Sequence, residues 1–158
     1  IHMGATTIWE RWDGIKPDHT FQDRGMNSFN HYAYGAIGEW MYRVVAGIEI
    51  DPAHPGYKHV IIQPHPGGEL TSVRATHQSL FGEIASAWEL AAGKFILQLS
   101  LPPNTTATVR LPGAKLASVT ESGKLLEKTP AVIPAKQNGN TVELEIGSGR
   151  YRFEYALE

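Results

Sequence analysis

From Lys58 onward, short alternating runs follow one another at a spacing of about ten residues with turn-forming residues between them, and this pattern limits the fold more than any other feature of the sequence. Pro66-Gly67-Gly68, Ala92-Gly93, Pro102-Pro103-Asn104, Pro112-Gly113, Ser122-Gly123, Asn138-Gly139 and Gly147-Ser148-Gly149 punctuate the run. Glycine reaches the positive φ that tight turns require, and proline presets φ while removing a ladder donor. Between the breaks the apolar residues have period two. In 141–146, Val142, Leu144 and Ile146 alternate with Glu143 and Glu145, which places one face of a pleated strand inward and the other in water. The pattern predicts strands at Lys58–Gln63, Leu70–Gln78, Glu83–Leu90, Lys94–Leu101, Thr105–Leu111, Leu116–Glu121, Thr141–Ile146 and Tyr151–Tyr155. Short strands at this spacing fit an antiparallel, jelly-roll-like β-sandwich over residues 49–158.

The segment before it has a different period. Phe29, Tyr32, Ala33, Ala36, Ile37, Trp40, Met41 and Val44 fall three and four apart and form one stripe of a helix over about 28–46. Ser28 or Asn27 is placed to cap its start, and Gly47 stands where it ends. Burying each large member of the stripe contributes about 1.5–3 kcal/mol, so the stripe needs a partner surface. The fold class expected is mainly β: a sandwich preceded by a loop and one amphipathic α-helix.

Composition narrows the function. The 158 residues are 42% hydrophobic, enough for a packed core and unlike a disordered chain. Fourteen Lys+Arg against sixteen Asp+Glu leave a formal charge of −2, with no basic stripe for nucleic acid. There are no cysteines, which excludes disulfides and thiolate chemistry. No apolar run reaches the roughly 18–20 residues of a membrane-spanning helix. Ile1-His2-Met3 has neither region of a secretion signal and reads as a cloning scar before a natural chain starting near Gly4. The compartment, cytoplasmic or exported, is left open.

Chemistry concentrates in the irregular segment that begins at Gly4. Glu10 lies between Trp9 and Trp12, with Arg11 and Asp13 beside it. Aromatic faces cover the C–H surface of a sugar ring while a carboxylate handles protons, so this mixture suits a sugar-processing site. The alternative is a loop anchored by its tryptophans, with Glu10 paired to Arg11 or another cation. His31 falls opposite the apolar stripe, on a face shared with Gly35, Gly38 and Tyr42, where glycines permit close approach. Its alternative is a polar residue on a wet face. His54, His59, His65 and His77 match no metal-ligand spacing, and no metal or cofactor is expected. Trp88, within an alternating strand, reads as a core residue rather than a stacking platform. Asn104-Thr105-Thr106 reads as a turn.

Ala5-Thr6-Thr7-Ile8-Trp9-Glu10-Arg11-Trp12, followed by Ser28-Phe29-Asn30-His31-Tyr32-Ala33-Tyr34-Gly35-Ala36, resembles the end of the catalytic domain of bacterial α-L-rhamnosidases, glycoside hydrolase family 78. Gly56-Tyr57-Lys58-His59-Val60-Ile61-Ile62-Gln63-Pro64, Pro102–Val109, Val119–Gly123 and Gly147–Phe153 resemble its C-terminal β-sandwich. The resemblance implies that residues 4–48 are the last segment of an (α/α)6 barrel and that 49–158 are an accessory domain bracing it. It implies hydrolysis of terminal α-L-rhamnosides with inversion, Glu10 as the general base and His31 in the sugar pocket. Inversion needs a second carboxyl group roughly 6.5–9.5 Å from the base, and the resemblance places that acid in an earlier barrel segment. A chain with the base alone is expected to be inactive. Its expected partners are a rhamnoside and the rest of the barrel, or a second copy of itself. The competing reading is a stand-alone carbohydrate-binding module, and a third is a sandwich that only packs.

Overall fold

The computed structural model describes residues 2–126 and 132–157; Ile1 of the leader, with residues 127–131 and 158 of the expected sandwich, lies outside them. The chain falls into two compact units, residues 1–40 and 41–158.

In the first unit, an antiparallel bridge between Ile15 and Phe21 closes a small hairpin. Lys16 N–H donates to Thr20 O at 2.9 Å, and Gln22 N–H donates to Gly14 O at 3.2 Å. At its tip Asp18 Oδ1 accepts the Thr20 N–H at 3.0 Å and the Thr20 hydroxyl at 2.6 Å. These two bonds, the hydroxyl first, hold the Asp18 carboxyl below the usual carboxylate range. Behind the hairpin, Phe29 meets Trp9 edge to face at 5.0 Å and stacks on Phe21 at 5.9 Å. Gly14 is buried against this cluster: a Cβ there would lie 3.2 Å from Phe29 Cε1.

The unit ends in a 3-10 turn, Tyr32–Tyr34, and a single short α-helix, α1, Gly35–Trp40. The second unit begins with a π-helical turn, Met41–Val45. The helix expected over 28–46 therefore starts four residues later, and only six residues of it are α-helical. Residues 28–31 are diverted into pairing with residues 7–10, so neither Ser28 nor Asn27 caps a helix. His31 takes the N-cap position, with no capping bond from its side chain. Gly35 and Gly38 further weaken the α winding, at about 1 kcal/mol each relative to alanine. The apolar stripe is largely exposed: Tyr32, Ile37, Trp40 and Met41 all stand open, and no residue of α1 is buried.

The rest of the second unit is a two-sheet β-structure. Its strands are β1 Ile48–Ile50, β2 His59–Ile62, β3 Ser72–Ser79, β4 Gly82–Ala91, β5 Lys94–Leu101 and β6 Thr106–Pro112. They continue with β7 Thr120–Glu121, β8 Lys124–Leu125, β9 Val132–Asn138, β10 Thr141–Ile146 and β11 Gly149–Ala156. One sheet has the order β1-β2-β6-β10-β9 and the other β3-β4-β5-β11-β7-β8. All described pairings are antiparallel except β2 with β6. The 116–121 segment departs from expectation: Leu116–Ser118 winds into a 3-10 turn, and only Thr120–Glu121 pairs as β7.

Both sheets feed one core. Val60 and Ile62 of β2, Val109 and Leu111 of β6, and Leu144 and Ile146 of β10 meet Trp88 of β4, Phe95 and Leu97 of β5, and Phe153 of β11. The intervening residues point outward, the alternation that half-buried strands require. Tyr155 is buried, and its hydroxyl donates to Pro112 O at 2.6 Å. That burial drives its phenol well above the ordinary value.

The π turn is locked to this sandwich. Ala46 N–H donates to Met41 O, five residues back, at 2.9 Å. The carbonyls at the end of the turn then face two buried donors: Trp88 Nε1–H donates to Val45 O and Ser86 Oγ–H to Ala46 O, both at 2.7 Å. Helix ends leave carbonyls without intrahelical partners, and here β4 satisfies them. Gly47 follows with φ +74, its backbone against Pro64 so closely that a Cβ would lie 2.1 Å from Pro64 N. Only glycine fits there.

Candidate functional site

Glu10 is held by the chain segment that precedes the helical turns. Its backbone N–H donates to Ser28 O at 2.8 Å, and its carboxylate Oε2 accepts the Ser28 N–H at 3.1 Å. Two residues back along 7–10, Ile8 O accepts the His31 N–H at 2.8 Å. The Thr7 hydroxyl donates to Phe29 O. As one segment advances from 8 to 10 the other runs back from 31 to 28, so the two lie antiparallel and bring Glu10 and His31 onto neighbouring segments. Glu10 is partly buried and His31 exposed.

Arg11 does not pair with Glu10. Its guanidinium instead donates to Gln22 Oε1 at 3.3 Å and to Met26 Sδ at 2.9 Å. Among the described residues Glu10 takes part in no ion pair, and Oε1 takes no hydrogen bond. One carboxylate oxygen is thus anchored on a backbone N–H while the other stays open. A carboxylate so arranged can hold a water by its open oxygen and accept its proton; paired to a guanidinium it would be a weaker base.

The two tryptophans beside Glu10 divide their roles. Trp9 is an anchor on Phe29, whereas Trp12 is fully exposed and presents its ring to solvent. Trp88 is 2% exposed and belongs to the core. The four histidines considered for a metal are scattered among other partners. His54 Nδ1 lies 2.7 Å from Asp51 Oδ2, which holds the Asp51 carboxyl below its ordinary value. The His59 ring sits between the Thr106 and Thr108 hydroxyls at 2.7 and 3.0 Å, and His77 stacks near Tyr57 at 4.3 Å. The backbone N–H of His65 donates to Val44 O at 3.1 Å. Among the described residues no group of three His, Cys, Asp or Glu is placed to hold a metal ion. No described helix is long and apolar enough to cross a membrane.

Ser28 is the contact to Glu10 that sequence reasoning missed. It stands eighteen residues from Glu10, and the group that matters is its backbone N–H, which no side-chain motif announces.

Comparison with known proteins agrees with this layout. The family model described as the bacterial alpha-L-rhamnosidase C-terminal domain matches residues 47–126. The model described as the bacterial alpha-L-rhamnosidase six-hairpin glycosidase domain matches residues 1–45. An alpha-L-rhamnosidase of Streptomyces avermitilis is 47% identical over 97% of this chain, and one of Formosa agariphila is 39% identical over 98% of it. The chain spans only 14% and 16% of those two relatives. The crystal structure of the Streptomyces avermitilis enzyme complexed with L-rhamnose superposes with a TM-score of 0.75 at 45% identity, covering 97% of this chain and 14% of that one. The sandwich and the Glu10-bearing segment thus match consecutive parts of one kind of enzyme, and the chain belongs to the bacterial α-L-rhamnosidase family.

Proposed function

We propose that this chain is the C-terminal portion of an inverting α-L-rhamnosidase, in which Glu10 is the general base and His31 contacts the sugar. The observation that supports this reading best is the state of the Glu10 carboxylate. One oxygen is fixed by the Ser28 N–H and the other is open, within the stretch matched by the glycosidase-domain model. In the intact enzyme the open oxygen takes a proton from water as that water attacks the anomeric carbon from the face opposite the leaving group. The product is then released with inverted configuration. The acid that protonates the leaving oxygen belongs to a part of the enzyme outside these 158 residues, and the isolated chain is inactive. The sandwich braces the barrel, and the exposed stripe at Tyr32, Ile37, Trp40 and Met41 packs against it. Without the barrel, the same stripe pairs one copy of the chain with another.

The test uses an aryl α-L-rhamnoside, whose good leaving group needs little help from an acid and so isolates the base. In the full-length enzyme Glu10→Gln lowers kcat by about 10²–10⁴-fold, with KM changed far less. His31→Ala acts mainly on KM. Proton NMR of the first sugar released reports the anomer. Near-normal turnover by Glu10→Gln removes Glu10 from the mechanism, and retained configuration removes the inverting chemistry.

A stand-alone module that grips a neutral sugar by stacking would need aromatic platforms on a sandwich face. Trp88 is buried, and Phe81 sits at the β3–β4 turn rather than on a sheet face.

A further inference from the structure

We infer that the outer face of the six-stranded sheet carries a binding groove for an acidic saccharide, one bearing a carboxylate, gripped between Arg74 and Arg150. The groove follows from the register. Across β3, β4, β5 and β11 one row reads Arg74, Ala87, Gln98, Arg152. The next reads Thr76, Ala85, Ser100, Arg150. Each row is small at β4, has Gln98 or Ser100 beside the alanine, and carries a guanidinium at one or both ends. The alanine and serine positions therefore form the floor of a trough, and the arginines form its walls. β3 and β11 are three strand spacings apart, about 14 Å, wide enough for a sugar ring between the walls. These residues line a cavity of about 520 Å³, within the ordinary range for small-molecule sites.

Charge selects the occupant. The lining holds three guanidiniums against one carboxylate, Glu83. Arg152 is committed to Glu154, at 2.6 Å. Arg74 and Arg150 make no ion pair among the described residues, on a protein whose net charge is −2. Two unneutralised guanidiniums in one trough favour an anion with planar, paired oxygens, which a guanidinium grips through two parallel hydrogen bonds. Gln98, Ser100 and Thr76 supply neutral polar groups between the walls for ring hydroxyls. Tyr151, the aromatic residue of the lining, alternates with Arg150 and Arg152 along β11 and lies parallel to Phe153 at 6.0 Å, so binding here is carried by charge and hydroxyl contacts rather than by stacking. That the anion is carried on a saccharide rests on the function proposed above; that the groove binds an anion does not.

Calorimetric titration of the 158-residue chain with a glucuronate-containing disaccharide, its neutral methyl ester and sodium sulfate tests both parts. The acid disaccharide is expected to bind with a millimolar or tighter Kd, at least tenfold tighter than either the ester or sulfate. Arg74→Ala and Arg150→Ala, both exposed and remote from the core, should each weaken it at least fivefold, and Glu83→Gln should tighten it. Absent binding, equal binding of acid and ester, or binding untouched in both arginine variants overturns the groove. Sulfate binding as tight as the disaccharide overturns the saccharide assignment while leaving the reading of Glu10, tested by turnover, unaffected.

Discussion

Residues 2–40 and the sandwich hold their shape by different means. Among the described residues of the first region only Gly14 is buried; order comes from backbone pairing, an Asp18 turn and the contacts of three aromatic rings. The sandwich instead closes around a core shared by both sheets. The candidate site and the apolar core thus lie in different parts. Glu10 sits where few contacts resist change, and the mass of buried apolar surface lies where no candidate catalytic group is found. Substitutions should therefore separate cleanly into those that unfold the sandwich and those that silence the site.

The largest effect tests the sandwich side of that division. Gly47→Ala forces a Cβ onto Pro64 at a positive φ, and unfolding in urea followed by tryptophan fluorescence should show a loss of at least about 3 kcal/mol. A loss under 1 kcal/mol would mean that the 47–64 approach is not rigid. Next is Trp88→Phe, which keeps a ring in the core but removes the donor to Val45 O; the expected cost is about 2–3 kcal/mol in urea unfolding followed by far-UV circular dichroism, since the sandwich's tryptophan is lost. On the other side of the division, Glu10→Gln in the isolated chain should shift the unfolding free energy by less than about 0.5 kcal/mol. A larger shift would make Glu10 a structural residue and blur the contrast.

The smallest effect concerns pH. Lys136 and Arg110 flank Glu143 in one cross-strand row, each 2.8 Å from it, and hold its carboxyl below the ordinary value, the lysine first. A carboxyl depressed in the fold stabilises it above the unfolded pKa, about 4.3, and that contribution disappears as pH falls from there through the folded value. Stability should be flat from pH 7 to about 5 and decline below. Glu143→Gln should remove a few tenths of a kcal/mol of that decline, since both cations of the row are partly or largely in water. An identical pH profile in the variant would show that the row contributes nothing.

The sandwich was legible in the sequence wherever turn residues flanked a long alternating run. Lys94–Leu101 and Thr141–Ile146 form strands with the bounds their pattern predicts. Legibility ended where elements were short or irregular. Ile48–Ile50 is three residues, too few for a period to appear. Val132–Asn138 contains a proline, which reads as a break; β9 tolerates it because it is an edge strand whose register slips opposite Glu143 and Glu145. The helix was overextended because periodicity records which side chains are apolar, not whether their backbone is already engaged. Phe29 fits the stripe, yet its carbonyl accepts from Thr7 and its ring packs on Trp9. Glu10 was visible through its neighbours, since a carboxylate among tryptophans and an arginine is an unusual surface loop. What anchors it was not, because an N–H eighteen residues away leaves no trace in composition.

The bonds from Trp88 and Ser86 to the end of the π turn bear on how such a sandwich can be inherited. If gene rearrangement joined it, just before Gly47, to a new neighbour whose backbone did not wind into the same turn, two buried donors would lose their acceptor carbonyls, and each would cost about 1–3 kcal/mol. A cut before Met41 would carry the acceptors along. The movable cassette is therefore longer than the β-structure itself, and hybrid proteins spliced at the two positions should differ in yield accordingly.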